Sequence, residues 1–153
     1  MRLIKPKPHT LYEAIDVVAV TGTRGGCTQE QKNSLKSLLH RVAPSTLVHG
    51  DCLGVDQEAG VLAIEEGIRV HLYPSTLSEF RAHSDGVVIE DPSPPLYRNK
   101  RMVDSVQLVL AVPSTYKNVT RSGTWYTVRY ARKQGVPVIL LYPNGEVLSD
   151  LDP

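Results

Sequence analysis

The feature that most constrains this chain is an end-to-end alternation between short apolar runs and amphipathic helical runs. The first apolar run, Asp16 to Thr21, reads D-V-V-A-V-T. It is rich in β-branched residues and has no polar alternation, the pattern of a strand covered on both faces, as in a parallel sheet. Ser45 to Gly50, Arg69 to Tyr73, Leu108 to Val112 and Val136 to Tyr142 repeat this pattern, and Pro74 and Pro113 end the third and fourth strands. Between them lie helical runs. Thr28 and Gln31 form a capping box, followed by a stripe of Leu35, Leu38, Leu39 and Val42 at helical spacing. Val55 to Glu66 stops at Gly67, Tyr97 to Val106 precedes the fourth strand, and Gly123 to Gln134 is closed by Gly135. The stretch Ser75 to Pro95 ends in D-P-S-P-P and reads as irregular, long enough for a lid or an interface arm.

Strands that alternate with helices form β-α-β units with right-handed crossovers. The expectation is an α/β fold: an open parallel sheet of about five strands with helices on both faces. Five strands are too few for an eight-stranded barrel. The length of 153 residues suits one domain, residues 1–153, with its core at about 16–142. Apolar residues make up 41% and charged residues 22%, and the formal net charge is +1 without a basic tail. That balance argues against a protein that binds nucleic acid mainly by neutralising phosphates. Met1 to Thr10 lacks the apolar region of a signal peptide, no run is long enough to span a bilayer, and two cysteines make no disulfide framework. These observations point to a cytoplasmic protein without a membrane partner.

In open parallel sheets ligands bind beyond the carboxyl ends of the strands. Three such ends here carry glycine and lead into a helix. The first holds Gly22, Thr23, Arg24 and Gly25; the second Gly50, Asp51, Gly54 and Asp56; the third Pro113 and then Ser122, Gly123 and Thr124. A helix N-terminus offers unpaired N–H groups and a positive dipole end, and glycine lets an anion approach the backbone. Hydroxyls and Arg24 add donors matched to phosphate. The competing reading is that the glycines merely permit tight turns. Neither the G-x-G-x-x-G fingerprint nor a Gly-Lys-Ser/Thr loop is present. Cys27, His49 and Cys52 lack the spacing of a metal site, so no metal and no cofactor are expected. Cys27 at a helix start is a candidate for a lowered pKa, and Tyr97 and Tyr116 are candidates for stacking a base.

T-G-T-R after the first strand, H-G-D-C-L-G-V-D after the second, Y-R-N-K-R-M-V-D before the fourth, and R-S-G-T-W-Y-T-V-R-Y-A followed by G-V-P-V together resemble the SLOG superfamily. That group includes the LOG-type phosphoribohydrolases, the DNA-processing protein A family and small stand-alone bacterial and phage proteins. The resemblance implies a Rossmann-like fold, a nucleotide-like ligand and, by analogy, a homodimer, for which an exposed Trp125 face is a candidate surface. LOG-type enzymes use a P-G-G-x-G-T-x-x-E loop and an arginine on the preceding helix. Gly123 and Thr124 match its Gly-Thr pair, and Arg98, beside Asn99, matches the arginine. Thr127 stands where the catalytic glutamate would be, which argues against that reaction.

Three functions follow as expectations. The leading one is a binder or sensor of a nucleotide or nucleotide-derived phosphorylated ligand, with Arg98 and Asn99 joining the three loops. The second is a nucleoside or nucleotide hydrolase, with Arg98 and Asp51 or Asp56 as the catalytic pair. The third, disfavoured by the charge, is binding of single-stranded DNA.

Overall fold

The computed structural model describes residues 15–151, so the reading of Met1 to Thr10 lies outside the described residues. Seven strands form one sheet: β1 Val17–Gly22, β2 Thr46–His49, β3 Arg69–Leu72, β4 Val88–Ile89, β5 Leu108–Val112, β6 Val138–Leu141 and β7 Val147–Ser149. Their order across the sheet is β4-β3-β2-β1-β5-β6-β7. All neighbours pair in parallel except β6 and β7, which are antiparallel. All five expected strands are present. The two additional ones, β4 and β7, lie at opposite edges and are short and largely exposed, so neither carries the apolar run of a central strand.

The four helices are α1 Gln29–Val42, α2 Val55–Glu65, α3 Pro95–Asp104 and α4 Gly123–Lys133. Side chains alternate along the central strands and so feed two cores. Val18 and Val20 of β1 pack with α1 and α2, whereas Ala19 packs with α3 and α4 on the other face. Leu110 and Ala111 of β5 divide in the same way. Helix α3 begins two residues before the expected Tyr97, because Pro95 sits at its first turn, where a missing N–H costs nothing. Trp125 of α4 is buried at 3% exposure, with its indole N–H donating to the Thr115 hydroxyl at 2.9 Å. It belongs to the core, the first of the two places its helical spacing with Val128 allows, and offers no exposed face for a subunit contact.

The stretch from Ser75 to Pro95 is bound to the sheet edge. Val87 and Glu90 donate to the carbonyls of Val70 and Leu72, and a single 3-10 turn, Ser78–Phe80, lies within it. Helix α1 is fastened at the opposite side of the site. The Thr28–Gln31 capping box is formed, and the buried Gln31 amide also donates to the carbonyls of Pro113 (2.8 Å) and Leu141 (2.9 Å). One side chain thus closes the ends of β5 and β6 and one arm of a helix cap. Gln31→Ala should therefore lower unfolding stability by about 2 kcal/mol in urea titration, because it leaves two buried carbonyls without a partner.

Candidate functional site

The chain leaves β1 toward β2 and leaves β5 toward β6, so the two central strands form a topological switch point, the place where open α/β sheets open a crevice. A cavity of about 560 Å³ lies there. Of the expected residues, Gly22, Thr23, Arg24, Gly50, Asp56, Arg98, Asn99, Ser122, Gly123 and Thr124 line it. Gly25, Asp51, Gly54 and Pro113 do not.

The reason is clearest at Asp51. Its backbone is left-handed (φ 56°), which turns the carboxylate into the protein, where it is fully buried. One oxygen accepts from Arg81 Nε at 3.0 Å and the other from the backbone N–H of Ser84 at 2.8 Å. Asp51 therefore anchors the 80–84 segment against the second loop, and its place as a ligand or catalytic carboxylate is corrected. Pro113 presents its carbonyl to Gln31. Gly54 (φ +90°) packs so tightly on the Arg24 carbonyl that an added Cβ would lie 2.4 Å from the oxygen. It serves loop-to-loop packing.

Arg98 makes the floor rigid. Buried at 6% exposure, its Nη1 donates to the carbonyls of Gly50 (2.6 Å) and Tyr73 (3.0 Å), and its Nε donates to Asn99 Oδ1 (2.7 Å). A Cβ at Gly50 would meet Nη1 at 2.4 Å. That glycine makes room for the arginine. The guanidinium thus joins α3 to the ends of β2 and β3 while keeping a positive charge under the cavity.

Each helix terminus at this edge has some of its donors engaged. At α1, Thr28 and Gln31 cap each other, and the Cys27 N–H donates to Glu58 Oε1 at 2.6 Å. At α2, the Val55 N–H donates to the Thr23 carbonyl. At α4, Ser122 Oγ accepts from the Trp125 N–H, whereas the N–H groups of Gly123 and Thr124 meet no acceptor among the described residues. An added Cβ at Gly123 would meet nothing within 4 Å, so open cavity lies before this helix terminus. Arg121 stands at the same rim, and Arg24 faces the cavity with its guanidinium 3.8 Å from the centre of the Phe80 ring. Of the helix termini at this edge, α4 brings Ser122, Gly123 and Thr124 to the cavity lining, with Arg121 at its rim and Arg24 on the Phe80 side.

Asp56 lies in the first turn of α2 and is 6% exposed. Its Oδ2 accepts from the N–H groups of Gly50 (3.1 Å) and Cys52 (3.2 Å). Burial raises its pKa above the usual carboxylate value, although His49, Arg98 and these two bonds pull the other way. Burial likewise lowers the pKa of His49, whose Nδ1 accepts from the Asp51 N–H at 2.9 Å. Thr127 donates its hydroxyl to the Gly123 carbonyl at 3.0 Å and stays out of the cavity, so α4 contributes no carboxylate. Among the described residues no group of three His, Cys, Asp or Glu side chains is placed to hold a metal. Tyr116 stacks on Tyr142 and Tyr97 is exposed, and neither lines the cavity.

The sequence reading missed Leu77, Phe80, Leu96 and Val119 as lining residues. Leu77 and Phe80 lie in the irregular stretch, where no periodicity marks a wall. Arg121 was legible, since it directly precedes Ser122.

No family model matches the chain, and no curated protein matches its sequence. Its fold matches solved structures. The molybdenum cofactor binding protein of Rippkaea orientalis superposes with a TM-score of 0.64 at 23% identity, over 83% of this chain and 76% of that one. The molybdenum cofactor carrier protein of Chlamydomonas reinhardtii gives 0.58 at 22% identity, over 82% and 76%. DNA processing protein A of Streptococcus pneumoniae gives 0.61 at 20% identity, over 85% of this chain but 51% of its own. The chain therefore spans about half of that protein. The fold is the Rossmann-like α/β fold that these structures share.

The Cys27 thiol runs against the sequence expectation. Burial first, and then the Glu58 carboxylate beside it, push its pKa up to about 12. Little thiolate exists at pH 8, so alkylation of Cys27 by iodoacetamide should be at least about a hundredfold slower than that of free cysteine. Peptide mass mapping over time gives the rate.

Proposed function

We propose that this protein binds a phosphorylated, nucleotide-like small molecule in the switch-point cavity, with the phosphate seated on the N-terminus of α4. The observation that carries this reading is that Gly123 and Thr124, whose N–H groups meet no acceptor among the described residues, line the cavity together with Arg24 and Arg121. A helix N-terminus with adjacent guanidinium groups is an anion site by both dipole and hydrogen bonding. Leu77, Phe80, Leu96 and Val119 supply an apolar wall for the remainder of the ligand. Two structural neighbours are named for binding or carrying the molybdenum cofactor, which supports ligand binding on this fold. The net charge of +1 favours a small ligand over a nucleic-acid backbone.

The role is that of a binder or sensor. This reading is supported by Thr127, which stands in place of the LOG-type glutamate and bonds to its own helix. A hydrolase reading retains one supporting feature, the Asp56 carboxylate at the cavity wall with its raised pKa. Chromatography for free base after incubation with nucleoside 5′-monophosphates distinguishes the two, and the binder reading expects intact substrate.

Isothermal titration with a panel of nucleoside 5′-monophosphates tests the proposal, and no binding by any member overturns it. Gly123→Asp has room to fold and places a carboxylate in the phosphate seat. Its affinity should fall by roughly a hundredfold at unchanged thermal midpoint. Arg24→Ala removes one charge-assisted contact and should weaken binding about tenfold.

A further inference from the structure

Asp56 presents an unexplained cost. A carboxylate at 6% exposure is expensive to keep ionised unless it is paired, yet it takes part in no ion pair among the described residues. Its structural work is done by one oxygen. Oδ2 holds the Gly50 and Cys52 N–H groups and so shapes the second loop. An asparagine carbonyl would do the same without carrying a buried charge. The other oxygen, Oδ1, accepts no hydrogen bond among the described residues, and the residue lines the cavity.

Its position relative to α4 gives the second observation. The loop carrying Asp56 follows β2 and the phosphate seat follows β5, with β1 between them. Two strand spacings separate their strand ends, about 10 Å. Inorganic phosphate does not bridge that span, whereas a nucleoside monophosphate does. The cavity therefore has the N–H groups of α4 on one side and the unbonded Oδ1 of Asp56 on the other.

We propose that Asp56 is the specificity-determining residue of this cavity: its Oδ1 accepts a hydrogen bond from a donor on the ligand, a sugar hydroxyl or a base N–H, so that phosphorylated ligands lacking the donor are rejected. The inference rests on the phosphate seat argued above. A site built around an acceptor discriminates strongly, because a ligand without the donor leaves a desolvated carboxylate unsatisfied.

The test is isothermal titration of wild type and Asp56→Asn with the 5′-monophosphates of adenosine, guanosine, inosine, cytidine and uridine, their 2′-deoxy forms, and inorganic phosphate. In wild type, loss of the recognised donor should cost about tenfold or more in affinity. A ribo-over-deoxy preference assigns the donor to the sugar, and a guanosine-over-inosine or other base preference assigns it to the base. In Asp56→Asn the Gly50 and Cys52 N–H groups hold the amide oxygen, and Nδ2, a donor, turns to the cavity. The preference should then vanish or invert, and the thermal midpoint at pH 7 should match or exceed wild type.

Equal affinities and equal preferences in wild type and Asp56→Asn overturn the proposal, as does a wild type that binds the panel without discrimination. Neither result touches the phosphate seat, which Gly123→Asp tests separately. A panel with no binding to wild type overturns both.

Discussion

The parting of the chain at β1 and β5 is the constraint on which the rest of this structure depends. Because β1 leads leftward to β2 and β5 leads rightward to β6, no helix crosses over the gap between their carboxyl ends. Right-handed crossovers place α1 and α2 on one face and α3 and α4 on the other. The space between the two sets is thus an unavoidable product of topology. The loops that end there are left to decide what fills it.

Those loops spend most of their polar groups on each other. Arg98 closes the ends of β2 and β3, Gln31 closes those of β5 and β6, and Asp51 draws the 80–84 segment down onto the second loop. Buried polar groups require partners, so each of these side chains secures a strand end that would otherwise expose bare carbonyls or amides. The network makes the cavity walls rigid. Among the polar groups at the cavity it leaves without a partner are the first N–H groups of α4 and one oxygen of Asp56, the groups on which the proposed ligand site rests.

Much of the fold was legible from the sequence, because central strands buried on both faces must be apolar throughout, as D-V-V-A-V-T is. The Thr28–Gln31 cap was legible for a similar reason: its partners are three residues apart, and the motif is local. Strands β4 and β7 were not, since two or three half-exposed residues at a sheet edge need only pair their backbones. The glycines show where local reading stops. Gly50, Gly54 and Gly123 look alike in the chain, but Arg98 faces the first, the Arg24 carbonyl the second and open space the third. Which of them serves a ligand is decided by residues distant in sequence. Asp51 and Asp56, five residues apart, diverge in the same way. A left-handed φ turns Asp51 inward, and a helical first turn sets Asp56 at the cavity wall.

The proposed site assigns the phosphate to the N-terminus of α4 rather than to α1 or α2. Backbone amide chemical shifts measured by NMR during titration with a nucleoside 5′-monophosphate test it directly. The account predicts the largest shifts at the Gly123 and Thr124 amides, with those of Thr28, Gln31 and Val55 nearly still. Shifts concentrated on the α1 and α2 termini, with Gly123 and Thr124 unmoved, would contradict it.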